Sequence, residues 1–197
     1  MKVTSIFYLL SFFSIPMVFS QSTGPRHHLR KQQEQDNFPN ITGEWVQTFS
    51  NRYVQNTIEI DWDCVMVNIE NINNTFSITK SASLHGQKNL TIRQTKLYSP
   101  SKDSQGRLLL KSKTPSSVVV PDLYLSYNGP FENAQSPEYL IFTGSNDLSL
   151  FVFAKNWENF QDNLKFIVLN LIQEIGYTNY YKTPMPSYAD TCNSDRR

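Results

Sequence analysis

From Phe38 onward, apolar and polar residues alternate in short runs separated by Gly, Pro, Asn and Ser. A period of two sends successive side chains to opposite faces of a strand. Glu44 to Val54 carries Trp45, Val46, Phe49 and Tyr53. Ile58 to Ile69 sets Val65, Val67 and Ile69 on one face against Cys64, Met66 and Asn68 on the other. Asn71 to Asn74 reads as a turn, and Thr75 to Lys80 as a strand with Phe76 and Ile78 together. Asn89 to Tyr98 follows, with Leu90 and Ile92 on a common face. Pro100 to Gly106 is a polar loop before Arg107 to Lys113. Val118 to Tyr127 is a strand interrupted at Pro121, or a loop and a strand. Tyr139 to Thr143 and Leu148 to Ala154 form a hairpin across Gly144–Asp147. The pattern predicts about eight strands.

One segment keeps helical spacing instead. Phe160, Leu164, Ile167, Val168, Leu171, Ile172 and Ile175 recur on one stripe. Asn159 is placed to cap it, Asp162 lies in its first turn, and Gly176 stands at its end. Such a helix must bury its stripe, and the outside of a curved sheet offers the place. Tyr177 to Lys182 is read as a short final strand.

An antiparallel sheet of this size hides its edges by closing into a barrel or packing as a sandwich. A single long helix after the last full strand favours an eight-stranded barrel, whose interior holds side chains or one small ligand. The fold class expected is therefore all-β: an up-and-down antiparallel barrel with one C-terminal α-helix packed outside.

The first twenty residues differ from the rest. Lys2 precedes an apolar run from Ile6 to Phe19, and Val18 and Ser20 are the small residues before a cleavage point at Gln21. The run is short for a membrane span and contains Pro16, so residues 1–20 read as a secretory signal peptide. No later segment is apolar enough to cross a bilayer. Residues 21–37 form a polar and basic tail expected to be disordered. The barrel domain is placed at 38–192, with 193–197 as a C-terminal tail. Removing residues 1–20 takes away one basic residue from 18 and leaves 17 against 17 acidic. That balance gives no support to a nucleic-acid binder relying on phosphate neutralisation. An extracellular destination makes Cys64 and Cys192, the only two cysteines, a disulfide pair. It also makes the sequons at Asn40, Asn73 and Asn89 candidate glycosylation sites.

Several of these features together resemble the lipocalin family. Gly43-Glu44-Trp45 matches that family's Gly-x-Trp motif at the start of the first strand, preceded by Phe38-Pro39-Asn40. Cys64 and Cys192 sit as in apolipoprotein D, bilin-binding and crustacyanin-like lipocalins. Asp147 agrees with the acidic residue of the family's Thr-Asp-Tyr turn. Lys155 takes the place of a basic residue before the helix, and Gly176-Tyr177 follows that helix. The resemblance implies structural roles for Gly43, Trp45 and Lys155, with the lysine lying across the indole face.

By strand parity, the expected cavity wall is Phe49, Val65, Val67, Phe76, Ile78, Leu90, Ile92, Leu125, Leu140, Leu150 and Val152. These side chains offer hydrocarbon and aromatic surface, so the expected partner is a small hydrophobic molecule. No cofactor is required, and a bound lipid, retinoid, steroid, tetrapyrrole or carotenoid fits the composition. No metal is expected, and the chain is expected to act as a monomer or weak homodimer. An enzyme is not expected: His85 is the single histidine of the folded region, and no nucleophile elbow surrounds a serine. The alternative is a secreted protein of the same fold with a filled or small cavity, acting through its loops on a protein or a small amine.

Overall fold

The computed structural model describes residues 38–113, 121–132, 136–187 and 192, without the side chains of 88–90, 131 and 132. The signal-peptide and tail expectations for 1–37 and 193–197 lie outside these residues. The elements run β1 (Gly43–Asn51), α1 (Arg52–Thr57), β2 (Trp62–Ile72), β3 (Thr75–Leu84), β4 (Gln87–Lys102), β5 (Leu108–Ser112), β6 (Leu123–Glu132), β7 (Ser136–Gly144) and β8 (Leu150–Ala154). Then come α2 (Trp157–Asn159), a π-turn (Phe160–Leu164), α3 (Lys165–Glu174) and β9 (Pro184–Pro186).

Each strand from β2 to β8 pairs antiparallel with the next, and β1 pairs with both β8 and β2. The eight strands therefore close into a barrel, as the pattern implied. β1 leaves β2 after the Val46–Met66 pair, and β9 pairs along its far half, from Phe49–Pro186 to Asn51–Pro184. Beside this junction, Cys64 bonds to Cys192 with a Cα–Cα distance of 4.9 Å. Cys64 has φ 50° and lies where the β2–β3 register shifts between Asp63 and Met66. The expected bridge is present.

Four local expectations are corrected. Tyr53 and Val54 are helical, because Asn51 accepts from the Val54 amide at 3.3 Å and starts α1 there. β4 runs on through Pro100 to Lys102, and the hairpin turns only where Asp103 Oδ1 accepts from the amides of Gln105 and Arg107 at 2.9 and 2.8 Å. The outer helix is capped by Asn156, which accepts from the Asn159 amide at 2.9 Å, one turn before the expected cap. Residues 177–182 are turns, and the final strand is β9. The left-handed end of the helix stands at Gly176, with φ 86°.

Two apolar clusters result. One fills the barrel and includes Trp45, Val67, Phe76, Leu110, Leu140, Phe142 and Phe153. The other lies between barrel and helix and joins Phe49, Ile141, Leu150 and Val152 to Phe160, Leu164, Val168 and Ile172. Both faces of β7 and β8 are thus buried, which explains their nearly unbroken apolar runs.

Candidate functional site: the barrel interior

The residues around the Gly-x-Trp segment pack into the apolar cluster of the barrel through Ile41 and Trp45. Gly43 opens β1 with φ 117°, a conformation that side chains rarely adopt. Trp45 is wholly buried, and its Nε1–H donates to the Ile41 carbonyl at 3.0 Å. That bond satisfies the indole while its ring stays in the apolar cluster. Lys155 Nζ lies 5.3 Å from the Trp45 ring centroid, the cation–π contact the resemblance implied.

Val65, Val67, Phe76, Ile78, Leu125 and Leu140 lie in the same interior cluster. Ile92 is half-buried and pairs with Ala82, an interior residue. The side chains of Leu90 and Asn89 lie outside the described residues. Phe49, Leu150 and Val152 are not on the interior wall; they pack beneath the helix. For Phe49 the cause is a bulge between Gln47 and Phe49, which flips the faces of the rest of β1. Its ring meets Phe160 at 5.9 Å. In β8 all five residues are apolar, so parity had no polar residue to fix it; Phe151 and Phe153 point inward instead. Asn40 and Asn73 are exposed. Asn73 and Asn74 form the β2–β3 turn with φ 50° and 58°.

The interior also carries charge that the apolar pattern did not reveal. Gln47 Nε2 donates to Glu59 Oε2 at 2.6 Å, and Lys80 Nζ donates to Gln47 Oε1 at 3.0 Å. Lys80 is ion-paired to Glu59 at 2.5 Å, with Glu59 buried and Lys80 only slightly exposed. Nζ also lies 3.8 Å from the Phe151 ring centroid. Burial pushes the Lys80 pKa down, opposed by the attraction of Glu59. Two residues along the β3–β4 ladder, Lys96 pairs with Ile78 on the same inner face. Lys96 is half-buried, and its ammonium has no hydrogen-bond partner among the described residues. Desolvation, then repulsion by Lys80, lowers its pKa to about 8, against the pull of Glu59. Burial, with the nearby Asp122 charge, raises the Tyr98 phenol well above its ordinary value.

These groups surround a small cavity of about 30 Å³ bounded by Ile78, Lys80, Lys96, Tyr98, Leu123 and Phe151. Among the described residues, no three His, Cys, Asp or Glu side chains converge as a metal site. No helix among them is long and apolar enough to cross a membrane.

No protein-family model matches the chain, and no curated protein matches it by sequence. Solved structures do match it. Lobster apocrustacyanin A1 superposes with a TM-score of 0.50 over 74% of this chain and 76% of its own, at 11% identity. The fold is that of the lipocalins. Japanin from Rhipicephalus appendiculatus, solved bound to cholesterol, gives 0.48 at 14% identity over 79% of this chain and 99% of its own. Insecticyanin from the tobacco hornworm Manduca sexta gives 0.46 at 12% identity, over 75% and 77%. At these identities the likeness is one of fold alone.

Proposed function

We propose that this chain is a secreted lipocalin that binds, without turnover, a small apolar molecule bearing an acidic group. The observation that carries the reading is Lys96: an ammonium without a hydrogen-bond partner among the described residues, half-buried on a largely apolar wall beside Tyr98. A carboxylate reaching it regains the electrostatic energy lost to burial, while the apolar body gains about 25 cal/mol per Å² removed from water. Entry requires side chains to move, because the cavity holds little more than a water molecule. Lys80 and Lys96, with long unbranched stems, are the groups best able to do so. Secretion is supported by the apolar start of the sequence, the three sequons and the disulfide.

The test is titration with a dansylated fatty acid and its methyl ester. The free-protein lysine is charged below pH 8, and a bound carboxylate stabilises that charge. Affinity for the acid is therefore expected to be flat at neutral pH and to fall above pH 8. The ester, and the acid with Lys96→Met, should bind about tenfold more weakly, the scale of one charge-assisted bond. Equal binding of acid and ester in wild type would remove Lys96 from the reading.

The same lysine makes a prediction without ligand. Its folded pKa of about 8 lies below the ordinary 10.5. Between these values the unfolded chain holds more protons, so stability should rise with pH from 7.5 to 9.5. Lys96→Met should be more stable than wild type at pH 7 and lack the rise. Urea midpoints at the two pH values would show it.

A second reading is favoured by the 30 Å³ cavity, far below the roughly 300 Å³ of an ordinary ligand pocket. In it the filled barrel is a scaffold, and the loops act on a protein partner. Failure of every apolar probe, together with an empty protein in native mass spectrometry, would select it.

A further inference from the structure

The inner wall sets two lysines side by side. On the β3–β4 ladder Ile78 pairs with Lys96 and Lys80 with Gln94, so the two lysines are diagonal neighbours on one face, about 7–8 Å apart at the backbone. Both line the cavity of about 30 Å³, together with apolar groups such as Ile58, Leu123 and Phe153. That space is far below the roughly 300 Å³ that the body of an ordinary ligand needs. It is close to the size of a triatomic molecule.

The two lysines differ in what holds them. Gln47, Glu59 and the Phe151 ring engage the Lys80 ammonium. The Lys96 ammonium has no hydrogen-bond partner among the described residues. Its charge is opposed by desolvation and by Lys80, so Nζ is in part neutral near pH 8. A partly desolvated amine beside a second cation is an activated nucleophile.

We propose that Lys96 takes up carbon dioxide as a reversible carbamate. The lone pair of neutral Nζ attacks the carbon of CO2, and an N–C bond forms. One C=O π pair moves onto oxygen, and a proton leaves Nζ for solvent. An amine and CO2 thus give a carbamate anion and a proton, with nothing oxidised or reduced. CO2 carries no charge, so it enters an apolar cavity without the desolvation cost of an ion. The anion, once formed, lies beside Lys80, whose influence on charge at Lys96 exceeds that of Glu59. Tyr98 lines the same cavity, and its phenol keeps its proton and can donate it in a hydrogen bond. The carbamate does not depend on the barrel taking an acidic guest. Where such a guest binds, a negative charge replaces the positive one at Lys96, so the acid and CO2 exclude each other.

The test places the full secreted protein in carbon-13-labelled bicarbonate at about pH 8, where Lys96 is partly neutral. A carbamate carbonyl resonance is expected. Trapping with a trialkyloxonium salt, followed by peptide mass spectrometry, should place the alkylated carbamate on the Lys96 peptide. Lys96→Met, which removes a half-buried charge, should lose that resonance. Lys111→Arg, at an exposed position, should keep it. Glu59→Leu/Lys80→Met should lower occupancy several-fold, because the cation beside the carbamate is gone. A spectrum unchanged in Lys96→Met would overturn the proposal. So would trapped label confined to the amino terminus and surface lysines, or undiminished occupancy in the double variant.

Discussion

Trp45→Ala is expected to lower the unfolding free energy by about 3–5 kcal/mol, the usual cost of truncating a large buried aromatic. The indole is fully buried, so the substitution leaves a void among neighbours that belong to one packed cluster. It also strips the Ile41 carbonyl of its 3.0 Å donor and Lys155 of the ring beneath it. Denaturant midpoints with unchanged slope would measure the loss. Trp157→Ala is the control, because Trp157 is only half-buried and stacks on Phe160 at 6.5 Å. A loss below about 1 kcal/mol for Trp45 would mean that the indole does not pack in the barrel's apolar cluster.

Glu59→Ala is expected to cost about as much, for a different reason. Removing one partner of a buried ion pair leaves the other charged and unmatched, at about 3–5 kcal/mol. Lys80 would keep Gln47 Oε1 and the Phe151 ring, neither of which carries a full negative charge. The double variant Glu59→Leu/Lys80→Met should recover most of the loss, because desolvation of both charges is then avoided. A double variant no more stable than Glu59→Ala would show that the pair is held for more than charge balance. The single variant should gain stability with rising pH, as the stranded lysine, already pushed down by burial, deprotonates more readily.

The barrel, its helix and its bridge were legible because each has a strong local or compositional signal. Turn residues at Asn73-Asn74 and Gly144–Asp147 fixed hairpins, and a period of 3.6 marked the helix stripe. The inner wall was legible only where one face of a strand is polar. In β2, Asn68 and Met66 alternate with Val65, Val67 and Ile69, and the parity there was right. In β8 both faces are covered, so Phe151 and Phe153 could not be told from Leu150 and Val152. The bulge after Gln47 has no residue signature, and it misplaced Phe49. α1 was hidden because Tyr53 and Val54 also suit a strand, although the capping Asn51 was there to be read. The polar interior was missed for a deeper reason. Gln47, Glu59 and Lys80 come from three separate segments, and only closure of the sheet shows that each supplies what the others lack.

The double pairing of β1 sets a timetable for the newly made chain. β2 through β8 form consecutive hairpins, so each strand finds its neighbour as soon as it leaves the ribosome. β1 has β2 at once, but its other edge waits for β8, and the part of its β2 edge beyond Val46 waits for β9. Cys64 waits longer still, since Cys192 follows it by 128 residues. At ~5–20 residues per second, that interval is roughly 6–26 s. Throughout it the nascent sheet offers an open β1 edge and a lone thiol to whatever lies nearby. The vulnerable species is thus a partly translated one, and the C-terminal residues act as the final seal.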